Sequence, residues 1–402
     1  MLPRSATLLG DPMSICRSIR RLLPCLLLAA AHALAAPPAK HLPPPLPRLP
    51  ALGLDAQAVT VSGLSSGGYM AAQFEVAYSA SLAGAAVIAG GPYGCSRGQV
   101  STAMFNCSCP AASGLQDVLL HDVPGACQVL AQDVYLNFAQ RATAGNKAFI
   151  DDTDNLKHHR IWIFSGDKDR VVETPIVSVV EQYHEALGVP PAQIKRVKLP
   201  NAGHGMPVLK DGGCDITAQP FITGCEYDAA GELLQWLYPN AGLATAEPQA
   251  AGFKSFDQTR YTDANVYSGL DKTGWLYVPP ACEASGAHCR LHVVFHGCEQ
   301  GQNFKVDAHG KYGLQYVHDT GYNRWAEGSR IVLLYPQVLP SNPPLHDPTN
   351  PYRFNPKGCW DFWGYTAPLG DASLFAGNPP FARQDAPQMK AVKHMIDDLL
   401  RP

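Results

Sequence analysis

The residue best placed for chemistry lies in Val59-Thr60-Val61-Ser62-Gly63-Leu64-Ser65-Ser66-Gly67-Gly68-Tyr69-Met70. A β-branched run precedes Gly-x-Ser-x-Gly, and a helical pattern follows it. That context predicts a tight strand-to-helix turn with the Ser65 hydroxyl exposed at its tip. The amide of Ser66, at the N-terminus of the helix, then faces any oxyanion that develops. A bare match of this kind recurs by chance in glycine-rich chains, where it marks an ordinary turn. The flanking strand and helix are what give it weight.

A serine nucleophile needs a base, and the base needs an orienting acid. Arg160 to Phe164 reads as a strand, followed by Ser165-Gly166-Asp167-Lys168-Asp169-Arg170-Val171-Val172. Asp169 is the preferred acid, its carboxylate turned inward, and Asp167 is assigned to the turn. Arg196 to Leu199 reads as the next strand, and the loop after it carries Gly203-His204-Gly205. Flanking glycines suit an imidazole that must approach both serine and carboxylate. His158 and His159 are read as surface or satisfied core histidines. The order Ser65, Asp169, His204, each after its own strand, distinguishes this set from aspartates that merely cap turns. The chemistry expected is acyl transfer through a covalent serine intermediate, with no metal and no organic cofactor.

A second oxyanion amide ordinarily comes from a strand loop before the nucleophile. Nothing ahead of Ser65 has that form. Leu291-His292-Val293-Val294-Phe295-His296-Gly297-Cys298 does, and it lies after His204, so the Cys298 amide is the expected donor. A helix near Gly321 to Ala326 and a strand to Tyr335 follow it. The first half of a hydrolase sheet thus sits at the C-terminal end. The expected fold is a single-domain, circularly permuted α/β hydrolase with a mostly parallel central sheet, since old termini close together at a surface permit permutation.

The positioning elements agree. Short apolar runs (Ala58 to Ser62, Ala85 to Ala89, Arg160 to Phe164, Arg196 to Leu199, Leu291 to Phe295, Ile331 to Tyr335) alternate with helical patterns at Gly68 to Tyr78, Pro175 to Leu187 and Gly231 to Leu237. This alternation implies a parallel sheet covered on both faces. The stretch Ala241 to Gln258 has the composition of a linker, but apolar strands on both sides argue for one catalytic domain, assigned to 58–402.

Of the 402 residues, 46% are hydrophobic, 16% are charged and the formal net charge is -3, so no basic face for nucleic acid or anionic lipid is expected. Arg17, Arg20 and Arg21 precede the apolar run Leu22 to Leu34 and the small-residue site at Ala35 or Ala36. That is the pattern of a signal peptide over 1–36. About 13 apolar residues cannot span roughly 30 Å of hydrocarbon as a helix. The Pro-rich stretch that follows, 37–57, is expected to run extended over the surface. Of 12 cysteines, Cys16 and Cys25 fall in the signal, leaving ten for disulfides in an exported chain. Local closure favours Cys214–Cys225 and Cys282–Cys289. Cys107 and Cys109 stand too close together for good tetrahedral zinc ligation.

Several segments occur together in one order: Gly63 to Ala71, Pro220 to Asp228, His296-Gly297-Cys298, Gly321 to Ala326, and Asn355 to Tyr365 with its Cys359-Trp360-Asp361-Phe362-Trp363 run. In this the chain resembles the extracellular poly(3-hydroxybutyrate) depolymerases whose oxyanion segment follows the triad. The resemblance runs from about residue 58 to the C-terminus. It implies a triad of Ser65, Asp169 and His204, with the Ser66 and Cys298 amides as oxyanion hole. It also implies that Asn355 and Trp360 contact the polymer. The substrate would be polyester or a hydroxyalkanoate oligomer, taken by a secreted monomer with no nucleic-acid or membrane partner.

Two features depart from the family. Phe362 stands where the aromatic run often has tryptophan. No linker and polymer-binding domain follow, which shifts the expectation toward amorphous polymer or soluble oligomers. In the aromatic cluster Trp360 is expected as a site wall, and Phe362 and Trp363 as core, pinned by a Cys298–Cys359 bridge. Three other readings stand beside this one: a feruloyl or acetylxylan esterase, a polymer-binding protein with a relic site, and a peptidase, for which no specificity pocket is legible.

Overall fold

Strands buried on both faces must be apolar at nearly every position, and the central strands here are. A computed structural model of the chain describes residues 45–109, 127–284, 286–307, 310–341, 353–367 and 378–402. The signal segment and the leader up to residue 44 lie outside the described residues. Leu46–Pro402 form one compact unit.

The strands are β1 (Val59–Leu64), β2 (Gly84–Ile88), β3 (Arg160–Gly166), β4 (Ile194–Leu199), β5 (Met206–Gly213), β6 (Ile222–Gly224), β7 (Phe253–Asp257), β8 (Thr273–Tyr277), β9 (Arg290–Phe295), β10 (Lys305–Asp307), β11 (Gly310–Lys311) and β12 (Ile331–Tyr335). Eight of them make one sheet in the order β4-β3-β2-β1-β9-β12-β8-β7. From β4 to β12 every pairing is parallel, and β8 and β7 add antiparallel strands at one edge.

Side chains alternate across this sheet, as a two-residue period requires. Val61, Ala85, Ile161, Val293 and Val332 point to one face. That face is covered by α1 (Ser66–Ala77), α2 (Gln132–Asn146), α3 (Thr174–Ala186) and the C-terminal helix Pro387–Leu400. Ala86, Trp162, Val294 and Leu333 point to the other, under α4 (Ala229–Leu237) and α5 (Tyr322–Ser329).

The strand order is that of a circularly permuted α/β hydrolase. β7, β8, β9 and β12, all from the C-terminal half of the chain, supply the part of the sheet that normally comes first. β1 pairs with β9 in register, Val61 opposite Val293, although more than 200 residues separate them. Hence neither half holds a complete site.

The stretch with the composition of a linker, read as part of the catalytic domain, ends in β7, an edge strand of the main sheet. The described end of the Pro-rich leader is likewise bound in. Leu49 and Leu54 are buried, and Gly53 and Asp55 donate backbone hydrogen bonds to Arg401 and Cys289.

All ten cysteines beyond the signal segment are paired, as 95–107, 109–127, 214–225, 282–289 and 298–359. The two local guesses and the 298–359 bridge are as expected. Cys107 and Cys109 belong to different bridges.

Candidate active site

The turn after β1 puts Ser65 at φ 57°, ψ -119°, a conformation costing an L-residue roughly 1–3 kcal/mol. Neighbouring glycines make it possible by close approach. A Cβ on Gly63 would lie 2.1 Å from the Gly67 carbonyl oxygen, and one on Gly67 would lie 2.4 Å from that of Phe295. The Ser65 N–H is held by the Ile88 carbonyl of β2 at 2.9 Å. Ser66 begins α1, where the first amides of a helix lack intrahelical acceptors. Its N–H has no acceptor among the described residues.

Asp169 follows β3 and is buried. Its Oδ1 accepts from the amides of Val171 and Val172 at 2.8 and 2.9 Å, leaving Oδ2 to accept from His204 Nδ1 at 2.8 Å. Asp167 is exposed and accepts from the Asn201 amide, closing the turn assigned to it. The bridge-bound Cys109 amide donates to the Val171 carbonyl, so the disulfide loop braces the turn that carries Asp169.

His204 is 5% exposed. Thr217 Oγ1 accepts its backbone N–H at 2.9 Å, and the Phe221 ring packs edge-on at 6.4 Å. Neither Thr217 nor Phe221 carries a sequence signal for this role, because both reach His204 from the loop closed by Cys214–Cys225.

Ser65, Ser66, His204, Gly297 and Cys298 line one open cleft. The strand β9 delivers Gly297 and Cys298 there because it is the direct neighbour of β1. The Cys298 amide, like that of Ser66, has no acceptor among the described residues. The rest of the lining is largely apolar, including Tyr69, Met104, Phe221, Phe354, Phe362 and Trp363. A dry wall of this kind strengthens polar interactions inside it.

The residues expected to touch a polymer are placed differently. Asn355 lines the cleft, but both ends of its amide are used in a loop clamp. Nδ2 donates to the Cys359 carbonyl, and Oδ1 accepts from the Cys359 amide, each at 2.9 Å. Trp360 does not line the cleft. It is fully buried, its ring 4.9 Å from Phe295 and 5.7 Å from His296, while its backbone N–H reaches Ser66 Oγ at 3.2 Å. The Asn355 clamp and the Cys298–Cys359 bridge fix the backbone one residue earlier, and that turns the next ring inward.

Trp363, expected in the core, packs half-buried against it and also lines the cleft. Asp361 sets its position by accepting the amides of Trp363, Gly364, Tyr365 and Thr366, which folds the loop tightly beneath the ring. Burial pushes the Asp361 carboxyl up from its ordinary range, and these donors oppose that shift. Phe362 stacks on Tyr69 of α1, with centroids 4.4 Å apart and planes 8° from parallel.

Known proteins bear on this arrangement. The chain is 36% identical over 354 residues to a poly(3-hydroxybutyrate) depolymerase of Delftia acidovorans, covering 87% of this chain and 61% of that protein. It therefore spans only about three fifths of that relative's length. It is 34% identical over 325 residues to a polyhydroxybutyrate depolymerase of Talaromyces funiculosus, covering 79% of this chain and 85% of that protein. The crystal structure of a PHB depolymerase from Penicillium funiculosum superposes with a TM-score of 0.66 at 28% identity, covering 88% of this chain and 98% of that one. A PHB depolymerase with a serine-to-alanine substitution, complexed with an R3HB trimer, superposes at 0.67 with the same identity and coverage. No protein-family model matches. The shared sheet, and an identity of 34% over most of a relative's length, place this chain in the poly(3-hydroxybutyrate) depolymerase family.

Proposed function

We propose that this chain is a secreted serine esterase that hydrolyses poly(3-hydroxybutyrate) or its oligomers. The observation that carries the reading is the convergence in one apolar cleft of Ser65, a His204 already hydrogen-bonded to Asp169, and the Gly297–Cys298 peptide. His204 Nε2 takes the Ser65 proton as Oγ attacks the ester carbonyl, and Asp169 fixes the ring and stabilises the imidazolium. The Ser66 and Cys298 amides hold the oxyanion, each worth roughly 3 kcal/mol. His204 then protonates the departing hydroxyl of the next unit. A water activated by the same ring releases the hydroxyacid from Ser65.

The polyester assignment rests on the family and on the cleft. A relative of the same fold was solved with an R3HB trimer, and the apolar lining here suits a chain of small methyl-bearing units. Five disulfides and the signal-like leader support export.

The test is clearing of a poly(3-hydroxybutyrate) suspension by wild type and Ser65→Ala, each beside a short p-nitrophenyl ester. Clearing that vanishes with Ser65 is the expected result. Short-ester hydrolysis without clearing would keep the serine mechanism and reject the polymer as substrate. Ester hydrolysis by Ser65→Ala would reject the nucleophile.

A further inference from the structure

An oxyanion amide works only if it is aimed before the reaction begins, because reorienting a peptide during the reaction costs part of what the hydrogen bond contributes. Cys298 follows Gly297, whose backbone comes so near the nucleophile that a Cβ there would sit 3.4 Å from Ser65 Cβ. A glycine at such a point has wide freedom of its own. Something else must hold it.

Two side chains do. The Gly297 N–H donates to Gln300 Oε1 at 2.7 Å. The Gly297 carbonyl lies 2.7 Å from His296 Nδ1 and also accepts, at the longer 3.4 Å, from the Gln300 amide. The tautomer follows from the other ring nitrogen: the Val338 amide donates to His296 Nε2 at 3.2 Å, so Nε2 is bare and Nδ1 carries the hydrogen. Burial pulls the His296 pKa down to about 4, so the ring is neutral over the ordinary working range. Gln300 is itself anchored, its Nε2 donating to the carbonyls of Pro220 and Phe221 at 2.9 and 3.3 Å. Phe221 packs on His204. Both peptide planes flanking Gly297 are thereby fixed.

In a trans peptide the C=O and the following N–H point in opposite directions. Drawing the Gly297 carbonyl toward His296 turns the Cys298 N–H to the opposite edge of the peptide, and Gly297, Cys298 and Ser65 line the same cleft. We propose that His296 and Gln300 are positioning residues of the acyl-transfer site, locking the Gly297–Cys298 peptide so that its N–H is aimed at the oxyanion. This rests on the acyl-transfer reading above. His296 touches no reacting atom and acts through the peptide.

The experiment uses the full mature chain and a soluble p-nitrophenyl butyrate. Wild type, His296→Leu, His296→Asn, Gln300→Leu and the double Leu variant are compared, with Ser65→Ala as a check on the site itself. Sites are counted by exhaustive labelling with a p-nitrophenyl alkylphosphonate, and kcat is expressed per labelled site. His296→Leu is expected to lower kcat per site by about tenfold to a hundredfold, a part of what a whole oxyanion donor supplies. KM should stay within about twofold, because the donor acts on the transition state. The rate constant for phosphonate labelling, which also builds a tetrahedral centre, should fall in parallel. His296→Asn retains a donor near the position of Nδ1 and should recover much of the loss. Because the two residues fix the peptides on either side of Gly297 and so act on one N–H, that of Cys298, the double variant should lose less than the product of the two single losses.

An unchanged kcat per labelled site in both single Leu variants would overturn the proposal, even if fewer sites are folded. So would a loss confined to KM. Residual hydrolysis by Ser65→Ala would instead reject the underlying serine reading, a separate result.

Discussion

Glu75 lies on α1, the helix that begins beside Ser65, and its side chain is fully buried. Oε1 faces His159 Nδ1 at 2.9 Å, and Oε2 faces His184 Nε2 at 2.8 Å. The remaining ring nitrogens face the carbonyls of Ser79 at 2.9 Å and Val180 at 2.7 Å. All four nitrogens of the two rings face oxygens. Burial pushes the Glu75 carboxyl up, but the two imidazoles, His184 first, outweigh it and bring the pKa down to about 2. Burial likewise works against a charged His184, yet Glu75 raises its pKa above the ordinary 6.5. Glu75→Gln keeps one acceptor and sets an N–H against a ring N–H. Breaking a buried charge pair from one side costs about 3–5 kcal/mol. At about 1.3 °C per kcal/mol for a chain of this size, the unfolding midpoint should fall by about 4–7 °C at pH 6. The sign of the pH dependence follows from His184. A raised pKa in the folded state contributes stability that is complete below 6.5 and is lost as pH rises through the folded value. The gap between wild type and Glu75→Gln should therefore narrow between pH 6 and pH 9, followed by thermal unfolding in near-UV circular dichroism. A variant melting within about 2 °C of wild type at pH 6, or a gap that does not narrow, would refute the reasoning.

Other perturbations separate the parts of the site. Asp169→Asn should lower kcat about 10⁴-fold in short-ester assays while the fold persists, because the His204 ring loses its orienting acceptor. Trp363→Ala should weaken attack on polymer or trimer severalfold while p-nitrophenyl butyrate kcat stays near wild type. Trp360→Ala should instead cost about 3–5 kcal/mol of stability in denaturant unfolding, because it empties a core position. Replacing both Cys298 and Cys359 by Ala releases a closed loop of sequence separation 61, worth about 4 kcal/mol, and should lower the unfolding midpoint and kcat together.

What was legible in the sequence is what depends on neighbours along the chain. The turn at Ser65 follows from its strand, its glycines and the helix after it, all within about a dozen residues. Asp169 and His204 could be chosen because each sits just past its own apolar run. The permuted sheet could be inferred because β9 ends in His296-Gly297-Cys298, which has a place in this fold only beside β1. Tertiary structure decided what depends on residues far apart. Trp360 and Trp363 differ little as letters in a loop, and a loop has no period from which to read a facing side. Their placing, Trp360 in the core and Trp363 at the cleft, was settled by the Cys298–Cys359 bridge and by the amides gathered on Asp361. The linker-like stretch before β8 became partly strand because β8 offered it an edge. Glu75 looked like any helix glutamate until partners 84 and 109 residues away closed around it. Local sequence determines backbone propensity, whereas the direction a buried side chain takes is determined by which distant groups compete to satisfy it.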